Sequence, residues 1–277
     1  MLPLGGPVEP SILREAASLA ERGVACALAV VVETRGSVPG KAGAAMLVTA
    51  DGTSRGTVGG AGLEERVKAL CREALASGRG GVRTFDLARW KEGGLDSVCG
   101  GTATVAIALV APVPHLLLVG GGHCAQALAR VCDTLGYVCT VVDSRAAYAQ
   151  REAFPNARAV VHDVPARFVD ATDDLGQWSH AYLMGHSHHE DGDALLALLA
   201  RGFGGVVGVI GSRSKMRSFR ERARAAGLAD AAFDRVRSPI GLDVGAQTPA
   251  EIAVAVAAEI VRDVRQGAAP RAQETLA

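Results

Sequence analysis

The chain has no net charge, with 29 Lys and Arg against 29 Asp and Glu over 277 residues. It therefore has no global field to draw in nucleic acid or an anionic membrane surface, and neither partner is expected. No apolar run is long and uncharged enough to span a bilayer. The opening Met1-Leu2-Pro3-Leu4-Gly5-Gly6-Pro7 also lacks a basic region followed by a long apolar stretch, so a soluble, cytoplasmic protein is expected. Cys26, Cys71, Cys99, Cys124, Cys132 and Cys139 are scattered without zinc-finger spacing in a chain of 277 residues, too long for a small stapled scaffold, which leaves reduced thiols as the default. Most of them lie in apolar segments, where cysteine is a small buried hydrophobe. Cys99 and Cys124 differ, because glycines stand beside or before them.

What is present is a large apolar fraction, 49% of residues, enough for a sizeable core and for two domains. Residues 115–145 read as strand, glycine turn, helix and second strand, the opening unit of a dinucleotide-type fold. The apolar run from His115 to Val119 stops at Gly120-Gly121-Gly122-His123-Cys124-Ala125. Gly120 and Gly122 fill the first two positions of G-x-G-x-x-G/A and Ala125 the third. Gly120 permits the tight turn, Gly122 lets a phosphate approach the backbone, and the first helical amides face the anion. Asp143 closes the second strand at about the distance expected of a ribose ligand.

Upstream, helical periodicity over 11–22 is followed by a strand over 24–33, a hairpin over 44–58, and a helix over 63–77 that turns Leu63, Val67, Leu70 and Leu75 to a core. Further strands fall at 83–87 and 103–110. Pro112 and Pro114 mark a linker. Beyond it, strands near 157–161, 181–184 and 205–210 alternate with helices near 191–201 and 214–226. A last helix runs from Pro249 to about 266 behind a Thr248 cap. The expected fold is α/β: a C-terminal doubly wound parallel, Rossmann-like sheet over 112–266 and a smaller N-terminal α+β domain over 1–111, with a disordered tail over 267–277.

Ligands of an open parallel sheet bind outside the carboxyl ends of its strands. Three loops there stand out. The first is the Gly120 turn. The second, with His186, His188, His189, Glu190 and Asp191, could bind a metal or move protons, or could simply start a helix. The third, Gly211-Ser212-Arg213-Ser214-Lys215, brings hydroxyls, amides and two cations to a helix start suited to phosphate. In the first domain, Gly59, Gly60 and Glu64 mark one glycine-rich loop and Cys99-Gly100-Gly101 another. A thiolate beside glycine can hold a soft metal such as molybdenum; equally, it can be a buried cysteine at a tight turn.

Taken together, Gly36-Ser37-Val38-Pro39, Gly56-Thr57-Val58-Gly59-Gly60 with Leu63-Glu64, Cys99-Gly100-Gly101 and Gly120-Gly121-Gly122-His123 resemble the xanthine dehydrogenase accessory protein family (XdhC/CoxI). His186-Ser187-His188 with Asp191, Ile210-Gly211-Ser212-Arg213-Ser214-Lys215, and Pro239-Ile240-Gly241-Leu242 before Thr248-Pro249-Ala250-Glu251 extend the resemblance over nearly the whole chain. It implies binding of molybdenum cofactor, as molybdopterin or its dinucleotide form, and delivery to an apo molybdenum hydroxylase such as xanthine dehydrogenase. It also implies contact with a cysteine desulfurase that supplies sulfur. A homodimer is a further candidate assembly. On this reading Cys99 is the molybdenum ligand. Gly59, Gly60, Glu64, Gly100, Gly101, Gly120, Gly122, His123, Asp143, His186, His188, Ser212, Arg213 and Lys215 line the cofactor site. The chain is then a carrier rather than a turnover enzyme. The alternative is a nicotinamide- or flavin-dependent oxidoreductase that uses Gly120, Gly122 and Asp143 for the dinucleotide and His186 or His188 as acid-base catalyst.

Overall fold

The computed structural model describes residues 6–88 and 100–266, and the chain divides into two compact units, Met1–Pro112 and Val113–Ala277. The first unit runs α1 (Pro10–Glu21), β1 (Cys26–Arg35), β2 (Ala45–Thr49), β3 (Ser54–Gly56), α2 (Ala61–Ser77), β4 (Gly81–Asp86) and β5 (Thr102–Val110). Its sheet has the order β3-β2-β1-β5-β4, and all its ladders are antiparallel.

Strand alternation sorts this core. Ala27, Ala29 and Val31 of β1, with Met46 and Val48 of β2, pack under α2, while Cys26, Ala45 and Leu47 point the other way, onto Ile12 and Ala16 of α1. On α2 the buried stripe is Leu63, Val67, Cys71 and Ala74, at helical spacing; Leu70 and Leu75, expected in the core, flank it half-buried. Cys71 takes the central position because a small thiol fits between helix and sheet. That burial raises its pKa to about 11, so it is an inert core residue.

The second unit runs β6 (His115–Val119), α3 (His123–Leu135), β7 (Val138–Asp143), β8 (Ala159–His162), α4 (Pro165–Ala171), β9 (His180–Leu183), α5 (His188–Ala200), β10 (Val206–Val209), α6 (Arg213–Ala225), β11 (Val236–Arg237) and α7 (Pro249–Gln266). Its strands lie in the order β11-β10-β9-β6-β7-β8 and every ladder is parallel. Counted from β6, this is the 3-2-1-4-5-6 order of doubly wound nucleotide folds, whose order reverses between β6 and β9. Leu117 and Val119 face α4, α5 and α6; Leu116 and Leu118 face α3 and α7. Burial on both faces explains why β6 reads as an unbroken apolar run. The step from β7 to β8 uses two 3-10 turns, Ala146–Tyr148 and Arg151–Ala153, in place of a helix.

Helix α7 opens with a reciprocal cap. Thr248 Oγ1 accepts from Glu251 N–H, and the Glu251 carboxylate accepts from the amides of Gln247 and Thr248. Its far end is tied to the sheet edge through Arg237 of β11, which pairs with Glu259 and Asp263. His180 of β9 also reaches Asp263, at 3.4 Å. Burial pushes the Asp263 carboxyl up, but His180 and Arg237 outweigh it and hold it at about 2.

Candidate functional site at the strand ends

The reversal of strand order sends the loops after β6 and β9 to opposite faces of the sheet, and a crevice opens between them. The three glycines after β6 have three different reasons to be glycine. Gly120 adopts φ +102°, and a Cβ there would stand 2.7 Å from Gly185 Cα. Gly121 lies against the Tyr148 carbonyl, where a side chain would collide. Gly122 begins α3, and a Cβ on it would meet nothing within 4 Å. No side chain caps this helix, so its first amides and the approach over Gly122 are open to an anion. His123, the first helical residue, is exposed.

Asp143 stands at the end of β7 as expected, but its carboxylate is turned inward and 2% exposed. Oδ2 accepts from Gly121 N–H at 2.8 Å and from Arg145 Nη2 at 2.8 Å; Oδ1 accepts from Arg145 N–H at 2.9 Å and from Arg145 Nε at 3.0 Å. This differs from the expectation of a carboxylate open to a ribose hydroxyl: Asp143 holds the glycine turn and an arginine in place. Burial pushes its pKa up, and the Arg145 and Gly121 donors more than offset that, leaving it below the usual carboxylate range. Arg145 Cζ stands over the Tyr148 ring, 3.7 Å from its centroid. Arg145 and Tyr148 are site residues that the sequence pattern did not single out; the available signal was an arginine two positions beyond the strand-ending acid.

Across the crevice, Ser187 caps α5 and Ser212 caps α6 through their hydroxyls. Lys215, expected to face a phosphate, instead donates to the buried Asp191 at 2.7 Å and to the Ile210 carbonyl at 2.9 Å. Asp191 also accepts from Gly185 N–H at 3.0 Å, and the missing Cβ of Gly185 makes room for that contact. Arg213 and Ser212 are exposed at the start of α6. The two histidines of His186-Ser187-His188 part company. His186 borders a hollow of about 10 Å³, room for one water, together with Gly120, Asp143, Ser144, Gly185 and Asp191. His188 instead stacks on Phe219 of α6 at 4.7 Å, because it is already in the first turn of α5. Among the described residues no group of three or more His, Cys, Asp or Glu could hold a metal ion. A wider groove of about 580 Å³ lies between residues 244–248 and the first turns of α7, but the polar groups there, Gln247, Thr248 and Glu251, are those of the helix cap.

In the first unit both glycine-rich loops pack against the segment 35–40. Gly36 approaches Gly101, where an added Cβ would stand 3.3 Å from Gly101 Cα, and Gly59 and Gly60, both at positive φ, lie against Gly40 and Pro39. Gly100 N–H and Gly101 C=O also pair with Leu87. Glu64 accepts from the Thr57 hydroxyl, which in turn accepts from Gly59 N–H, so this acid stiffens the loop. Cys99 lies outside the described residues, as does the segment 267–277.

The fold and its strand-end turn define a Rossmann-type protein with a separate antiparallel α+β unit. The chain belongs to the XdhC and CoxI family: residues 116–260 match the XdhC Rossmann domain and residues 19–86 the XdhC and CoxI family. It is 32% identical over 252 residues to the uncharacterized protein YqeB of Escherichia coli K12, covering 91% of this chain and 46% of that protein. It is 26% identical over 162 residues to a probable xanthine dehydrogenase component of Bacillus subtilis, covering 58% of this chain and 46% of that protein. The chain thus spans about half the length of these two relatives. A crystal structure of a Bacillus halodurans xanthine dehydrogenase shares the fold, with a TM-score of 0.52 at 20% identity, covering 95% of this chain and 97% of that one. Among the described residues no helix is long and apolar enough to cross a membrane.

Proposed function

We propose that this protein is an accessory factor of a molybdenum hydroxylase that binds molybdenum cofactor and hands it to the apo-enzyme. Family membership supports the accessory role. The observation that carries cofactor binding is the pairing of an uncapped α3 with a side-chain-free approach over Gly122, a seat that fits a phosphate. Every molybdopterin form carries one. In this reading the Gly120–Gly122 turn and the α3 amides hold the phosphate end, with Ser212 and Arg213 at the start of α6 as further donors. When bound, the cofactor supplies the redox-active molybdenum that the recipient enzyme uses. Cys99 is proposed as its protein sulfur ligand on the strength of the Cys99-Gly100-Gly101 sequence. His186, which borders the crevice, serves release, while His188 serves the α5–α6 interface. A cysteine desulfurase is the proposed sulfur donor.

The test is reconstitution. The protein, purified from cofactor-producing cells, is mixed with apo-hydroxylase and the recovery of hydroxylase activity is followed. The parent restores activity and His186→Ala restores it more slowly with unchanged folding. A protein loaded with cofactor that transfers none contradicts the carrier role.

A further inference from the structure

In a Rossmann unit the acid at the end of the second strand ordinarily accepts hydrogen bonds from ribose hydroxyls. An ionised carboxylate has about four acceptor positions. In Asp143 four donors already fill them: the Gly121 amide and the Arg145 amide, Nε and Nη2, at 2.8–3.0 Å. None is left for a diol. The group that faces outward at this corner is Arg145, whose side chain is 30% exposed and whose Nη1 has no partner among the described residues. The guanidinium is held from two sides, by the Asp143 carboxylate through Nε and Nη2 and by the Tyr148 ring. A rigid donor therefore occupies the place where the fold usually offers an acceptor. The complementary ligand carries an anionic acceptor there.

We propose that the strand-end crevice of the Rossmann unit binds an adenine nucleotide whose ribose bears a 2′-phosphate, of the NADP(H) type, with Arg145 on that phosphate and the Gly122 turn on the pyrophosphate. This goes beyond the molybdenum cofactor reading. It shares only the glycine turn with it and adds the corner beyond β7. Glu190 opposes the 2′-phosphate, since its charge also reaches Arg145, and Ser144 Oγ holds that carboxylate at 2.7 Å. The expected preference is therefore about tenfold, the low end of what a charge-assisted hydrogen bond gives.

The experiment is calorimetric titration of the whole chain, stripped of bound pterin, with NADP+ and NAD+, and separately with adenosine 2′,5′-bisphosphate and AMP, at about 0.15 M ionic strength. NADP+ binds about tenfold more tightly than NAD+, the bisphosphate exceeds AMP by a similar factor, and Arg145→Ala brings both ratios to within about twofold. The fragment pair on the parent protein keeps the test readable should Arg145→Ala fail to fold. Three outcomes overturn the proposal: NAD+ binding as tightly as NADP+, neither nucleotide binding at millimolar concentration, or the preference persisting in folded Arg145→Ala. Because no pterin is present, none of these bears on cofactor delivery, and failure of delivery leaves this result standing.

Discussion

Replacing Lys215 with methionine tests whether the crevice is braced by a buried ion pair. The Lys215 ammonium sits 2.7 Å from Asp191, whose side chain is 1% exposed, while that of Lys215 is 16% exposed. Lys215→Met keeps the length of the stem and removes the charge. Among the described residues, Asp191 is then left buried with the Gly185 amide at 3.0 Å as its remaining donor. Stranding one partner of a buried pair costs about 3–5 kcal/mol. For a unit of this size each kcal/mol moves Tm by about 2–4 °C, so a loss of roughly 6–20 °C is expected. Because the chain has two compact units, the transition to follow in calorimetry is that of Val113–Ala277. Asp191→Asn removes the stranded charge, so the double variant Asp191→Asn, Lys215→Met recovers more than half of the loss. A single-variant cost below about 1 kcal/mol, or strictly additive effects in the cycle, would refute the brace.

Acid weakens the protein in two stages. Burial, reinforced by Arg158, lowers His115 to about 4 from its ordinary 6.5. The neutral imidazole is favoured in the fold, so its contribution is complete above about pH 6.5 and is lost as pH falls toward 4; Asp263, held at about 2, adds a loss from about pH 4 down to 2. Denaturant midpoints against pH check this, and His115→Gln flattens the upper stage. An unchanged upper stage in that variant assigns the loss elsewhere. The two neighbouring glycines respond differently to alanine. Gly121→Ala meets the Tyr148 carbonyl and costs about 1–3 kcal/mol in unfolding experiments. Gly122→Ala leaves stability within about 0.5 kcal/mol but crowds the anion path and weakens phosphate-ligand binding. Equal stability losses in the two would contradict the division of labour drawn for this turn.

Long, strongly patterned elements were legible in the sequence. The β6–α3–β7 unit, the cap of α7 and the α/β class followed from an apolar run, three glycines and a Thr-Pro-Ala-Glu signal, all of which are local. Helix α4, seven residues long, and the two-residue β11 were not, because elements that short hold together through tertiary packing more than through their own pattern. Residue identities at the crevice were legible, but partnerships were not. Lys215 and Asp191 are 24 positions apart and read separately as a phosphate donor and a helix-start acid; only the packing of α5 beside α6 joins them. Asp143 was placed at the right strand end, yet its four donors come from a turn 22 residues earlier and from Arg145, which no pattern in β7 announces. The two histidines two residues apart separate because α5 begins at His188 rather than at Asp191, which rotates the second imidazole onto Phe219.

The proposed role leaves a chemical trace, molybdenum and pterin held on the purified protein. It is tested most directly by purifying the protein from cells that make the cofactor and from cells that do not, and measuring molybdenum by mass spectrometry and pterin by fluorescence on the same samples. Protein from the first source is expected to carry molybdenum and pterin together in about a one-to-one ratio to protein and protein from the second neither, with Cys99→Ala losing molybdenum while keeping pterin. Protein from cofactor-replete cells that carries no pterin would contradict it.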